Sequence, residues 1–279
     1  MITVTLTTDW GTDGLYAGAF KGRLVSRIPG VQLVDISHQI DTLQPAKAAL
    51  ALQNSYHFFM ANSIHVLAVG GKLANLQHVQ HVCFQYKNHY FIGPNNGVWE
   101  MIFNEIPPNV YALPSVLSSD KFNAFPELEI YIDALGKLAM GMQPNHLGER
   151  VDCEKGRKIS LPGLTPDGLQ GEIIFFDGYG NALTNITKQE FEHARKKRPF
   201  SIRAGSMRPQ TTTDRIAVNY NDFERRDSIM ALFSFSGFME IALPNNSFKT
   251  HFPHVDKHTK ITVQFYESEA EKEKDLGFF

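Results

Sequence analysis

Apolar residues alternate with polar ones at Ile2, Val4 and Leu6, which predicts a strand over residues 2–7. The pattern then breaks into a polar, glycine-rich stretch, Thr8-Asp9-Trp10-Gly11-Thr12-Asp13-Gly14. Leu15, Ala19, Leu24 and Ile28 follow at helical spacing and predict a helix over 15–28, stopped by Pro29-Gly30. The alternation continues with a strand over 31–36, an alanine-rich helix over 46–59 entered at Pro45, and a strand over 63–69. Strand–helix–strand order implies parallel pairing with right-handed crossovers. Residues 79–86 and 89–92 flank Lys87-Asn88 and read as a hairpin, and 127–142 reads as a helix.

From Gln143 to Asp167 the periodicity is lost and Pro144, Pro162 and Pro166 appear. This stretch reads as an inter-domain connection. Short strands with turn signals come next, over 172–176, 182–184, 200–203, 229–234, 238–243 and 260–265, interrupted by one helix over 188–197. Such spacing suggests a small barrel or sandwich. The charge run 267–274 reads as a solvated helix or a frayed end. The expected fold is therefore an α/β domain with a mainly parallel sheet over 1–146, a linker over 147–167, and an all-β, barrel-like domain over 168–279.

Composition adds exclusions. A net charge of −2 leaves no broad electrostatic footprint for nucleic acid, and the 21 Phe and 9 Tyr are not interleaved with basic runs. No apolar run approaches the ~18 residues that span a bilayer, and no basic segment precedes an apolar one at the start. Cys83 and Cys153 form no CxxC pair and read as reduced thiols. A cytoplasmic protein without membrane or nucleic-acid partners is expected. His78 with His81, and His251 with His254, lack cysteine or carboxylate company in a metal-binding pattern, so no metal is expected.

Three segments carry candidate chemistry. Asp9 follows the first strand, where ligands sit in open α/β sheets, and an acid there can accept two hydrogen bonds from a vicinal diol. The alternative is that Asp9 or Asp13 caps the next helix. Asp177-Gly178-Tyr179-Gly180-Asn181 puts an acid, an aromatic and an amide on one tight turn. The amide can pair with an adenine edge and the aromatic can stack on a base; alternatively these are turn residues only. Ser236-Gly237-Phe238-Met239-Glu240-Ile241-Ala242-Leu243-Pro244-Asn245 reads as a hairpin and loop able to offer backbone groups. The phosphate-binding patterns GxGxxG and GxxxxGK[ST] are absent, as are GxSxG and HExxH.

Together, in this order, these segments resemble the S-adenosylmethionine hydroxide adenosyltransferase family, which includes the fluorinases and chlorinases. The opening is similar to its T-D-F/L-G-x-x-D/G signature. Val34-Asp35-Ile36-Ser37-His38 resembles V-D-I/V-x-H, Gly93-Pro94-Asn95-Asn96-Gly97 resembles P-D/N-N-G, and the Asp177 segment resembles D-x-F-G-N-x-x-T-N-I. The resemblance implies an α/β domain followed by a β-barrel. It implies a homotrimer that binds S-adenosylmethionine (SAM) or adenosine between subunits, without a further cofactor. It assigns Asp9 to the ribose hydroxyls, Asn181 to adenine, and Asp177 to the methionine amino group. Tyr179 and Tyr220 fall at aromatic positions around the nucleoside, with Ser236 and the Pro244-Asn245 backbone also at the ligand.

The chain departs from the family at the residues that activate water. Gly70 falls where the acid of D-P-G-V-G belongs, no arginine lies between Arg27 and Arg150, and Pro126 falls at the histidine of T-F-H-G-R-D. Lys72 and Glu127 are the replacement catalytic candidates, and the simpler reading of each is a solvated surface charge. Hydrolysis of SAM to adenosine and L-methionine is the expected reaction. A non-catalytic SAM or adenosine binder is the alternative. Halogenation is a distant third, because the Y-P-x-x-G run of the halogenases is absent.

Overall fold

The computed structural model describes residues 2–70, 79–114, 125–156, 160–205, 211–222 and 228–277. The chain divides into two compact units, Met1–Lys158 and Ile159–Phe279.

The first unit contains β1 (Thr3–Thr8), α1 (Leu15–Arg27), β2 (Gln32–Ser37), α2 (Pro45–Gln53), β3 (Ile64–Ala68), β4 (His81–Tyr86), β5 (His89–Pro94), α3 (Val98–Phe103), β6 (Val110–Ala112), α4 (Glu127–Ala139) and β7 (Arg150–Val151). Its sheet runs β2-β1-β3-β5-β4-β6-β7. The first four strands in that order are parallel; β4, β6 and β7 join antiparallel. Both faces are covered, as a parallel core requires. Phe20 and Leu24 of α1 and Leu128, Tyr131 and Leu135 of α4 pack on Val4, Leu6 and Val66. On the other face, Leu52 of α2 and Trp99 and Phe103 of α3 pack on Leu67, Phe84 and Phe91.

Two departures from the sequence-based expectation have local causes. The helix expected over 46–59 ends at Gln53, because Asn54 and Ser55 turn their side chains back onto the carbonyls of Leu50 and Ala51. A single 3₁₀ turn, Tyr56–Phe58, follows. The expected hairpin at Lys87-Asn88 does form: both residues take positive φ, 47° and 63°, the pattern of a two-residue type I′ turn, and it adds the antiparallel strands to the parallel core. Helix α3 was not foreseen, since five of its six residues are buried and it carries no amphipathic stripe.

The second unit contains β8 (Gly163–Thr165), β9 (Gly168–Phe176), β10 (Ala182–Thr187), α5 (Lys188–Arg195), β11 (Phe200–Ala204), β12 (Thr212–Thr213), β13 (Met230–Phe233), β14 (Phe238–Ala242), α6 (Phe248–His251), β15 (Lys260–Phe265) and α7 (Glu269–Leu276). All its strand pairs are antiparallel, in the order β12-β11-β15-β9-β10-β14-β13, with β8 beside β9. A bridge from Ile216 to Ala231 draws the chain after β12 onto β13, so the barrel nearly closes. Ile173, Ile186, Ile202, Ile241 and Ile261 fill its interior with Phe191 of α5. Thr187 caps α5 in a reciprocal capping box with Glu190. Two short strands, β7 and β8, fall within residues 147–167. Cys83 is buried and Cys153 half-buried, both unpaired, and burial lifts the Cys153 thiol to about 11.

Candidate functional site

Asp9 lies in the first unit; Asp177, Tyr179, Asn181, Tyr220, Ser236 and Asn245 lie in the second. Lys72 lies outside the described residues.

Asp9 begins the loop that leaves the carboxyl end of β1. It does not cap α1: Gly14 holds the N-cap position, without a side-chain cap. Nor does Asp13 cap it; its carboxylate accepts from Thr12 instead. The backbone N–H of Asp9 donates to Ala68 at the end of β3. Its Oδ2 accepts from Thr42 Oγ1 at 2.9 Å and from the Gly70 N–H at 3.1 Å. Among the described residues Oδ1 takes no hydrogen bond, so one carboxylate oxygen is left to meet a hydroxyl. Gly70 takes φ 75°, a left-handed conformation that a side-chain-bearing residue adopts only with strain.

Glu127 is not a solvated charge: it is 6% exposed, in the first turn of α4. Helix spacing puts Tyr131 on the same face, four residues on. The Tyr131 hydroxyl is buried and bonds His81 Nδ1 at 2.7 Å. Burial lifts the Tyr131 hydroxyl far above its usual range, and the nearby charges of Glu127 and Asp9 add to that rise. Tyr131 thus sits within electrostatic reach of both carboxylates. Burial alone holds His81 near 4, so it is neutral at pH 7.

In the second unit, Asp177 organises the turn between β9 and β10. Its Oδ1 accepts the N–H groups of Tyr179 (2.9 Å) and Asn181 (2.8 Å), and its Oδ2 accepts the Asn181 side-chain N–H at 3.1 Å. Gly180 is required here, since it takes φ 85° and an added Cβ would lie 2.1 Å from Ser247 Oγ. That close approach holds the turn against the loop Pro244-Asn245-Asn246, whose Asn245 takes φ 57°.

Sequence reasoning missed Glu240 as a site residue. It stands on β14 opposite Leu183 of β10, 6% exposed. Its Oε1 accepts the Tyr220 hydroxyl at 2.6 Å, and the Asn181 amide faces the same carboxyl. Burial raises the Glu240 carboxyl, and the charge of Asp177 raises it further. The available signal was a lone acid inside the apolar run Phe238-Met239-Glu240-Ile241-Ala242. With a carboxylate on either side, the Asn181 end that faces them is its NH₂. Its carbonyl oxygen is then the group left for a ligand, and it accepts from donors such as an exocyclic amine.

Tyr220 is half-exposed beside this cluster, whereas Tyr179 is 83% exposed. Ser236 Oγ pairs with Ser234 Oγ at 2.7 Å inside the β13–β14 hairpin. Asn245 is exposed at its turn. The structure thus brings Asp177, Asn181, Tyr220 and Glu240 together, with the 244–247 loop alongside; among the described residues Tyr179 joins them through its backbone N–H, and Ser236 bonds Ser234 instead. Among the described residues no group of three or more His, Cys, Asp or Glu side chains could hold a metal ion. None of the described helices is long and apolar enough to cross a membrane.

Both units resemble known proteins. Residues 4–148 match the model of the SAM hydroxide adenosyltransferase N-terminal domain, and residues 171–261 match that of the C-terminal domain. A protein of Methanocaldococcus jannaschii named (R)-S-adenosyl-L-methionine hydrolase is 23% identical over 252 residues, covering 86% of this chain and 87% of the relative. One of the same name from Thermus thermophilus is 24% identical over 200 residues, covering 67% and 76%. The crystal structure of an uncharacterized conserved protein from Thermotoga maritima superposes with a TM-score of 0.81 at 20% identity, over 94% of this chain and all of that one.

Proposed function

The chain belongs to the SAM hydroxide adenosyltransferase family, matching both of its domains, and on that premise we propose that it binds SAM and hydrolyses it to adenosine and L-methionine. Water attacks C5′, the C5′–S bond breaks, and its electron pair stays on sulfur, so methionine leaves as a neutral thioether. The remaining proton of the attacking water passes to a base. A neutral leaving group needs little help, so the enzyme's work is to place the water in line and accept its proton.

The observation that carries this reading is the network around Asn181, whose amide nitrogen is committed to carboxylates and whose carbonyl oxygen can receive the adenine amine. Asp9 supplies the ribose contact through its open oxygen. Glu127 is the proposed proton acceptor: a buried carboxyl in the first turn of α4, one helical turn before Tyr131. Asp177 is proposed to receive the methionine amino group, and Tyr220 to flank the base, with Tyr179, Ser236 and Asn245 completing the ligand's surroundings. The relatives' names support the (R) sulfonium epimer as substrate. The same reading includes a homotrimer, each site drawing Asp9 from one copy and Asp177 and Asn181 from the next. Light scattering that gives the monomer mass would remove that part.

A second reading has its own observation. Gly70 replaces the family acid, and its N–H is spent on Asp9, which favours a protein that binds SAM or adenosine without turnover. Chromatography of a SAM incubation, paired with calorimetry, separates the two. Adenosine rising with time supports the hydrolase; SAM binding with no adenosine above background supports the binder.

A further inference from the structure

Four side chains form a continuous file beside Asp9. Lys21 Nζ lies 2.5 Å from Asp35 Oδ2, Asp35 Oδ1 lies 3.1 Å from His38 Nε2, and His38 Nδ1 lies 2.7 Å from Thr8 Oγ1. Carboxylate, imidazole and hydroxyl stand in the order of a nucleophilic triad. Two facts exclude that use. The Thr8 hydroxyl is fully buried in β1, and its oxygen already accepts the Trp10 N–H at 3.3 Å. The Asp35 carboxylate oxygen can only accept, so the nitrogen facing it, Nε2, carries the proton; Nδ1 is then the acceptor and the Thr8 hydroxyl donates to it. The Nε2 approach to Asp35 is close but too oblique for a straight hydrogen bond, so that contact is electrostatic.

The backbone is tied to the same place. The His38 carbonyl accepts the Gly11 N–H at 2.7 Å, and the Thr8 carbonyl accepts the Ile40 N–H at 3.3 Å. Thr8 on one side of Asp9, and Trp10 and Gly11 on the other, are therefore all bonded to His38 or its immediate neighbourhood. The Trp10 ring also stacks over the imidazole, with centroids 6.3 Å apart. Among the described residues Asp9 itself bonds Ala68, Thr42 and Gly70 alone.

We propose that His38 is the positioning residue of the nucleoside site, holding both chain neighbours of Asp9 so that its carboxylate faces a ribose diol. This rests on the nucleoside reading above, but the first half of its test needs no ligand. The Gly70 amide donates to Asp9, so its hydrogen exchange reports whether the carboxylate is seated.

The test compares the wild type with Thr8→Val, His38→Leu and His38→Asn. Val keeps the shape of Thr and removes only the hydroxyl; Asn can place a carbonyl oxygen near the position of Nδ1. Gly70 exchange, read by NMR against β15 amides as internal reference, is expected to quicken at least tenfold in Thr8→Val and His38→Leu. Adenosine affinity, by calorimetry, is expected to fall at least fivefold in both. His38→Asn is expected to stay within threefold of wild type on both measures. Unchanged Gly70 exchange in Thr8→Val would overturn the inference even if His38→Leu fails to fold. Equal losses in His38→Asn and His38→Leu would also overturn it, because the acceptor would then not be what matters. A wild type that binds no adenosine refutes the nucleoside reading instead, and Gly70 exchange still decides whether His38 holds Asp9.

Discussion

Asp9 and Glu127 are both acids at element boundaries, and the structure treats them differently from what sequence suggests. Asp9 could have been a helix cap; its bonds to Thr42 and Gly70 make it a link between the ends of β1 and β3 with one oxygen open. Asp9→Ala is expected to weaken adenosine binding by about 1.5–3 kcal/mol through lost charge-assisted bonds, measured by calorimetry. Equal affinity would leave Asp9 a structural tie only. Glu127 read as a surface charge because first-turn acids usually face water, and tertiary packing beside Tyr131 buries it. Glu127→Gln keeps size and polarity but accepts no proton; adenosine formation is expected to slow about 10²-fold with SAM affinity held. Turnover at the wild-type rate would return Glu127 to a structural role. Asp177 and Asn181 stand out as polar turn residues between strands, whereas Glu240 lies inside the apolar run 238–242, where only the fold shows that it meets Tyr220.

At the scale of elements, strands with clear alternation and helices with stops were readable from sequence, and short pieces were not. Strand β15 lies where the apolar spacing of 260–265 puts it. Strands β6, β7, β8 and β12 have two or three residues each, too few to show a period. The turn between β9 and β10 is the element on which the second unit's network depends. Gly180→Ala brings a Cβ against Ser247 and forces a positive φ on alanine. It is expected to lower the melting temperature and weaken adenosine binding together. Loss of stability with unchanged affinity would separate the turn from the site. Cap removal gives a control within the same unit: Thr187→Ala breaks the α5 capping box and is expected to cost about 1 kcal/mol in chemical denaturation, with binding unaffected.

At the scale of the molecule, the α/β and antiparallel β architectures were legible because each unit keeps one style of pattern throughout. Pairing order was less so, since β5 rather than β4 sits beside β3, and nothing in periodicity distinguishes the two. Buried polar residues set the pH response. The Thr5, His65 and His89 side chains bond in series on one face of the first sheet, and burial holds His65 near 3 and His81 near 4. Both stay neutral in the fold, whereas the unfolded chain takes up protons near pH 6.5. Their contribution to stability is therefore complete above pH 6.5 and is lost as pH falls toward 4, by up to about 1.4 kcal/mol per unit for each histidine. Calorimetric melting at pH 7 and pH 5 should show the drop, and His81→Gln should flatten its slope by about one proton. A slope that His81→Gln leaves unchanged would contradict this assignment.

The central claim is attack of water on C5′ of SAM. Its direct measurement is mass spectrometry of the nucleoside formed when the purified protein turns over SAM in ¹⁸O-labelled water. The account predicts adenosine carrying one ¹⁸O at its 5′ oxygen, with methionine released unlabelled. Absence of adenosine, or adenosine without the label, would contradict it.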